Sequence, residues 1–472
     1  MNSGEHRVLI ANRGEIAIRI TKACIELNLS FSCVYTDADR DSGHVRFARE
    51  NGGSRSLYCI SSYSDANEIF SVADSCGATA IHPGYGFFAE DFRFARRVAE
   101  REKPLIFIGP SWWIIRELGD KINTKRLARS LGVPTIPGSD KPIYNELEAV
   151  EFADSLFAFQ KEQGFKFSAI MVKASAGGGG MGIEEVTDPD EFRSVFRRIR
   201  NYAKRQFNDE GVLIEQRIYG FNHLEVQIVS ERSGKKHVHF GTRNCSIQSS
   251  GNQKRIEVAP GFASEDIHYI FNAASVLDCI TSHSLSMARE VAYDNVGTWE
   301  WIVTPRGEPF LMEVNTRIQV ENGVSAAISN ISGQGKVDIV REQLRLGLGA
   351  DMGYSQQDII LKGLALEYRI IAENPDRNFA PWVGTIEKFG WVAEDWLEVF
   401  TQVPTDCEYE IPTEFDPNLA LAIIRGDSLD QLRKRGIEFL EGLELRGADR
   451  AGLQLQSNIS YLKDKTALIL EF

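Results

Sequence analysis

Met312-Glu313-Val314-Asn315-Thr316-Arg317-Ile318-Gln319-Val320-Glu321 is the stretch on which the fold turns. Read as an extended strand, it puts Glu313, Asn315, Arg317, Gln319 and Glu321 on one face and Val314, Ile318 and Val320 on the other. That polar face offers carboxylates, amides and a guanidinium in order, a set of metal and anion ligands rather than the interchangeable residues of a solvated strand. At roughly 3.3 Å per residue, a straight strand would hold Asn315 and Glu321 about 20 Å apart, too far for one small site. The strand is therefore expected to stop near Asn315, and the chain then to curl around a small anion.

Upstream, Trp299-Glu300-Trp301-Ile302 and Pro309–Val314 bracket a turn at Pro305-Arg306-Gly307. Paired as strands, they would hold Glu300 and Glu313 on facing positions. Such a carboxylate pair is repulsive without a cation and suits one or two Mg²⁺ ions shared with nucleotide phosphates. Asn222–Ile228 alternates like a strand, with Lys236–Phe240 as its hairpin partner, and the basic turn Gln253-Lys254-Arg255 follows Gln248. His223 taken alone reads equally as a satisfied polar residue or a phosphate contact.

Further upstream, the strand Ala169–Lys173 runs into Ala174-Ser175-Ala176-Gly177-Gly178-Gly179-Gly180-Met181-Gly182. Backbone N–H groups of such a run can wrap phosphate oxygens without Cβ clashes, and Lys173 adds a cation at the strand end. The pattern is neither GxxxxGK[ST] nor a dinucleotide fingerprint, and a flexible linker is its alternative. The first segment alternates short apolar runs (Val8–Ala11, Phe31–Tyr35, Ala78–His82, Leu105–Gly109) with amphipathic stretches at Glu15–Asn28 and Asp65–Ser75. This is α/β organisation around an open parallel sheet. His82-Pro83-Gly84-Tyr85-Gly86 follows a strand end, where such sheets place ligands, although simple turn chemistry reads the same way.

Expected divisions are residues 1–118, an N-terminal α/β domain; 119–141, a helical connector; 142–217, a small lid with the glycine loop; and 218–472, the largest unit. Leu429–Leu445 reads as an amphipathic helix used in core packing. The 472 residues are 43% apolar and 25% charged, the composition of a globular protein of several domains. A net charge of −13 argues against nucleic acid or an anionic membrane as the main partner. Seven scattered cysteines without CxxC pairs are expected as reduced thiols in a cytoplasmic protein. No apolar run approaches the length of a membrane span, and with a strand-like run already at Arg7–Ile10 no signal or transit peptide is expected.

A lysine strand, a glycine lid and a Glu…Glu-x-Asn set are the parts of an ATP-grasp fold. Ala11-Asn12-Arg13-Gly14-Glu15-Ile16-Ala17, Ile81–Phe87, Gly119-Asp120-Lys121, Asn315–Glu321 and Glu367-Tyr368-Arg369-Ile370-Ile371-Ala372-Glu373 closely resemble the biotin carboxylase family. The resemblance covers nearly the whole chain in order. It implies an N-terminal parallel α/β sheet, an ATP-grasp lid and core, and a β-rich C-terminal subdomain. It also implies MgATP-dependent carboxylation of carrier-linked biotin by bicarbonate, through carboxyphosphate, with Mn²⁺ able to replace Mg²⁺.

By motif, the resemblance assigns ATP to Lys121, Lys173, Gly178, Gly179, Gly180, Glu215, Gln216, Ile218, His223, Gln248, Glu300 and Glu313, and the metal to Glu300, Glu313 and Asn315. Bicarbonate would lie among Lys254, Arg317, Gln319 and the backbone of Val320, with Glu321 as general base. Arg369 would stabilise the biotin enolate and Tyr85 would face the biotin ring. The biotin carrier and the carboxyltransferase are expected on separate chains, and the subunit as a homodimer.

Several positions depart from the family. Glu321-Asn322-Gly323-Val324-Ser325-Ala326 stands where the family has Glu-His-Pro-Val-Thr-Glu. Gln248–Lys254 is one residue longer than Gln-Arg-Arg-His-Gln-Lys and lacks its arginines and histidine. Met181 replaces an arginine, and Leu421 a lysine. These changes leave two alternatives open: an ATP-grasp ligase with a non-biotin acceptor, and a nucleotide-binding regulatory subunit with decayed catalysis.

Overall fold

In the computed structural model, residues 6–163, 167–175, 182–249, 253–262 and 269–470 are described. The chain divides into two compact units, one of residues 1–119, 222–301 and 313–472, the other of 120–221 and 302–312.

The first unit begins with the expected parallel sheet. Its strands β1 (Arg7–Ile10), β2 (Ser30–Tyr35), β3 (Leu57–Cys59), β4 (Ala80–His82) and β5 (Ile106–Phe107) are ordered β3-β2-β1-β4-β5. Helix α1 (Gly14–Glu26) crosses between β1 and β2 because Ile16, Ala17, Ile20, Ala23 and Cys24 recur on one buried face. The turn after β4 is pinned by Asn12, whose Nδ2 donates to the carbonyls of Pro83 (2.6 Å) and Tyr85 (2.8 Å). Gly84 there has φ +63°, and a Cβ would meet Asn12 Nδ2 at 2.7 Å, so only glycine fits.

The second unit carries α2 (Lys121–Ser130), started by the Asp120 carboxylate accepting from the N–H groups of Ile122 and Asn123. Two longer helices, α3 (Glu146–Glu162) and α4 (Phe192–Phe207), pack against an antiparallel sheet of β6 (Ile170–Ala174), β7 (Ile183–Val186) and β8 (Val212–Gln216), ordered β7-β6-β8. Ile170, Val172 and Ala174 face that core, which leaves Lys173 on the opposite face.

An eight-stranded sheet dominates the remainder, built from β9 (Asn222–Ser230), β10 (His237–Gln248), β11 (Lys254–Ala259), β12 (Asn295–Val303), β13 (Pro309–Asn315), β14 (Leu364–Ile371), β15 (Leu397–Thr401) and β16 (Asn418–Gly426). Its order is β13-β12-β9-β10-β11-β14-β16-β15. Residues of β9 are buried on both faces, so Glu225 and Gln227 project into protein, not water. β13 ends at Asn315, and α5 (Asn322–Ala327) begins immediately after Glu321. α6 (Leu429–Gly442) lays Leu429, Leu432, Phe439 and Leu440 into the C-terminal core, as the amphipathic reading expected. Among the described residues no helix is long and apolar enough to cross a membrane.

Candidate active site

Because β13 stops at Asn315, the polar residues after it fold back on one carboxylate instead of spreading along a strand. Glu300 Oε1 accepts from Asn315 Nδ2 at 2.7 Å and from Gln319 Nε2 at 3.0 Å. Arg317 braces the loop, donating to Gln319 Oε1 (2.7 Å), Asn315 Oδ1 (3.2 Å) and Glu90 (2.8 Å). His223 Nδ1 accepts from Gln248 Nε2 at 2.9 Å, which leaves Nε2–H to donate to Glu300 Oε2 at 3.0 Å. Glu313 lies half-buried on β13, two residues before Asn315. Glu300, Glu313 and Asn315 carry hard oxygen donors, the type that suits Mg²⁺.

Lys254, at the start of β11, is the centre of charge. Its ammonium bridges Glu225, Glu300 (3.2 Å) and Glu321 (2.9 Å). Glu321 Oε2 also accepts from Arg369 Nη2 at 3.0 Å. Arg243, fully buried, is bonded to Glu225 at 2.8 Å. Burial alone would push the Glu321 carboxyl up, but Lys254, Arg369 and Arg243 reverse it and hold the acid well below the usual carboxylate range. Burial acts likewise on Glu300, where Lys254 and His223 prevail and hold it low. Burial also opposes the charge of Lys254, yet its three carboxylate neighbours keep the ammonium protonated well above the ordinary lysine range. The arrangement is an ionised carboxylate beside cations that a small anion could claim.

Tyr85 donates its hydroxyl to Glu15 Oε1 at 2.6 Å, on the first turn of α1. Arg369 is on β14, with Leu421 of β16 directly opposite it in register. The family lysine that Leu421 replaces would therefore have stood opposite this guanidinium.

In the second unit, Lys173 and Lys125 both pair with Glu215, and these cations outweigh burial to hold that carboxyl at about 2. The Gln216 N–H donates to the Pro137 carbonyl at 2.8 Å, and Ile218 is buried among Ile136 and Ile302. Lys121 opens α2. Gly178, Gly179, Gly180 and Met181 lie outside the described residues, as do positions 250–252.

Sequence reading gave no role to Lys125, Glu225, Arg243, Glu257 or Arg19, and quoted Glu15 and Asn322 only as part of a family motif and of a departure from it. For Glu225 a signal existed: a carboxylate at the centre of an alternating strand between His223 and Gln227. For Lys125 the signal was weaker, a second lysine four residues along the helix from Lys121.

Three family models match in chain order. They are the N-terminal domain of biotin carboxylase over residues 5–115, the ATP-binding domain of the carbamoyl-phosphate synthase L chain over 120–354, and the biotin carboxylase C-terminal domain over 367–464. The 2-oxoglutarate carboxylase small subunit of Hydrogenobacter thermophilus is 35% identical over 97% of this chain and 90% of its own length. The biotin carboxylase of Pseudomonas aeruginosa is 34% identical over 93% of this chain and 91% of its own. Among solved structures, the biotin carboxylase domain dimer of the Hydrogenobacter enzyme, with MgADP, ADP and bicarbonate, superposes with a TM-score of 0.82 at 34% identity. It covers 98% of this chain and 93% of that one. A biotin carboxylase–β,γ-ATP complex from Campylobacter jejuni gives a TM-score of 0.83 at 27% identity, over 98% of this chain and 95% of that one.

Proposed function

This chain belongs to the biotin carboxylase family, and on that premise we propose how its own residues carry out MgATP-dependent carboxylation of biotin by bicarbonate. The observation that carries the reading is Lys254, held between Glu300 and Glu321 at 3.2 and 2.9 Å beside the Arg317–Gln319 loop.

Bicarbonate would enter between Lys254 and Arg317, with Gln319 and the Val320 backbone completing its contacts. Lys254 would then give to the anion part of the charge that now depresses Glu321. The base would gain proton affinity as its substrate arrives, the matching that general-base catalysis requires. Glu321 would accept the bicarbonate proton while the freed oxygen attacks the γ-phosphorus of ATP, giving carboxyphosphate and ADP. Glu300, Glu313 and Asn315 would hold Mg²⁺, whose charge neutralises phosphate oxygens when bound. In the second unit, a polyphosphate would compete with Glu215 for Lys173. Carboxyphosphate would then break its C–O bond to give carbon dioxide and phosphate, and the phosphate would take the ureido N–H proton. Arg369 would face the charge developing on the ureido oxygen as the biotin nitrogen bonds carbon dioxide, with Tyr85 against the ring.

We place the biotin on a carrier protein and the acceptor chemistry on a carboxyltransferase, each on another chain, with this subunit as a cytoplasmic homodimer. The relatives of matching length and the dimer of the Hydrogenobacter domain support that arrangement.

The deciding experiment is Mg²⁺-dependent ATP hydrolysis, with and without bicarbonate and free biotin, for the chain and for Glu321→Gln. Turnover needing both additions and lost in the variant is the expected result. Turnover driven by bicarbonate but indifferent to biotin would transfer the reading to another acceptor. ATP binding without turnover would favour a regulatory subunit.

A further inference from the structure

Glu257 on β11 and Glu367 on β14 are directly opposed in the antiparallel register. Both are fully buried, and among the described residues the four carboxyl oxygens have no well-aligned hydrogen bond, the one close cation being Arg369 beside Glu257. Two ionised carboxylates facing each other across a dry ladder repel, and a single guanidinium nitrogen at Glu257 is too little to make both buried charges tolerable. The charged and titratable groups around them are Arg369 on β14, Glu321 before α5, Lys254 on β11, Glu225 on β9, Glu15 on α1 and the Cys245 thiol on β10, which burial keeps protonated. Arg369 Nη2 lies 2.6 Å from Glu257 Oε1, but the same guanidinium nitrogen also serves Glu321. Lys254 is already held by three other carboxylates. On the far side, β16 presents Leu421 opposite Arg369 and Ile423 opposite Glu367, both apolar. Position 421 is where the family pattern carries lysine. Two carboxyls thus face one shared guanidinium where that pattern would supply a second cation on the neighbouring strand.

We propose that a proton shared by Glu257 and Glu367 takes the place of that lysine charge, and that the pair acts as positioning residues for Arg369. With one proton aboard, the two glutamates and the guanidinium sum to zero charge. Arg369 is then free to direct an N–H toward an oxyanion growing on biotin. With the proton lost, two carboxylates hold the guanidinium back and oppose the new anion. The only bond made or broken in this exchange is O–H, with solvent taking the proton. Burial raises Glu257 to about 7 against the pull of Arg369, and raises Glu367 well above the usual range, in the direction the geometry requires. The inference rests on the assignment of Arg369 to biotin.

The test is the pH dependence of the biotin-dependent part of bicarbonate-driven ATP turnover, from about pH 6 to about pH 9. In the unchanged chain this part should fall on the alkaline side, by about tenfold per pH unit once the pair has ionised. Glu367→Gln cannot lose the proton and should keep the rate within about twofold over the same range. Leu421→Lys, which restores a cation, should do the same. An alkaline limb in both variants that superimposes on that of the unchanged chain overturns the proposal. Infrared difference spectra between the two pH limits read the proton directly. A carboxylic C=O band that disappears on raising the pH, and is missing from the Glu367→Gln difference spectrum, supports the pair. If that variant does not fold, the absence of any titrating carboxylic band in the unchanged chain overturns the proposal. Turnover indifferent to biotin would instead count against the biotin reading, and the infrared band alone would then decide the shared proton.

Discussion

Arg19 on α1 donates from Nη2 to Asn322 Oδ1 at 2.6 Å, which ties the N-terminal sheet to the residue beside the proposed base. Asn322 in turn donates from Nδ2 to the Gln319 carbonyl at 2.7 Å. On the other side, the Arg19 guanidinium lies 3.8 Å from Glu15 and over the Phe400 ring at 4.3 Å, and Glu15 accepts the Tyr85 hydroxyl. One polar network therefore runs from the proposed biotin-facing tyrosine to the backbone of the anion loop. Asn322 occupies the position of a family histidine, and an amide suits it because one end must accept from Arg19 while the other donates to a carbonyl.

Asn322→Ala should raise the KM for bicarbonate about tenfold, by freeing the Gln319 carbonyl, and should lower stability by about 1–3 kcal/mol, because Arg19 loses a buried acceptor. Asn322→Asp separates the effects: it can still accept from Arg19 but no longer donates to the loop. Bicarbonate kinetics and urea titrations read the two. An unchanged KM in both variants would show that this amide does not seat the loop.

Lys254→Gln leaves Glu225, Glu300 and Glu321 facing one another in the core. Removing one partner of a buried charge cluster costs about 3–5 kcal/mol, so the urea midpoint without Mg²⁺ should drop sharply. Bicarbonate-driven turnover should be lost as well. A stability change within about 0.5 kcal/mol would mean the ammonium does not hold the cluster together.

The end of β13 at Asn315 was legible because the alternative, a straight strand, would have scattered five ligand-type residues. Four strands of the parallel sheet were legible from short apolar runs separated by helical spacing, with limits displaced by a residue or two, whereas the three-residue edge strand β3 was too short to stand out. The Glu257–Glu367 opposition was not, since it depends on the register between strands more than a hundred residues apart in sequence, which no local pattern encodes. Lys173 illustrates a different limit. Its residue type pointed correctly to a cation at a strand end, but its partner Glu215 lies on a neighbouring strand paired by the fold. Arg19 was invisible for the same reason: on α1 it reads as an ordinary polar residue until Asn322 is brought against it.

Gly323 stands where the family has proline, and a Cβ built there would lie 2.1 Å from Ile423 Cδ1. Both residues are buried, so the added methyl cannot escape to solvent. Gly323→Ala should therefore destabilise by about 1–3 kcal/mol through overpacking. Ile423→Val removes the clashing methyl and should restore part of the loss in the double variant, a non-additivity that thermal melts can measure. Strict additivity would place the strain elsewhere.

His82 ends β4 fully buried, its Nδ1 accepting the Gly84 N–H at 3.0 Å and so fixing the turn that carries Tyr85. Burial pushes this imidazole down to about 3, and His44 down to about 4, against about 6.5 for a free histidine. The folded chain thus binds fewer protons at these sites than the unfolded chain. Their contribution to stability is complete above about pH 6.5 and is lost progressively as the pH falls toward the folded values. His82→Asn keeps an acceptor for the Gly84 N–H without titrating. Its urea midpoint should fall less steeply on acidification, the difference approaching about 1.4 kcal/mol per pH unit below about pH 6. Carboxylates held low by neighbouring cations, Glu215 among them, lose stability in the same direction in both chains, so only the difference between the two curves reports on His82. Parallel curves would mean that the imidazole takes up its proton in the folded state without breaking the turn.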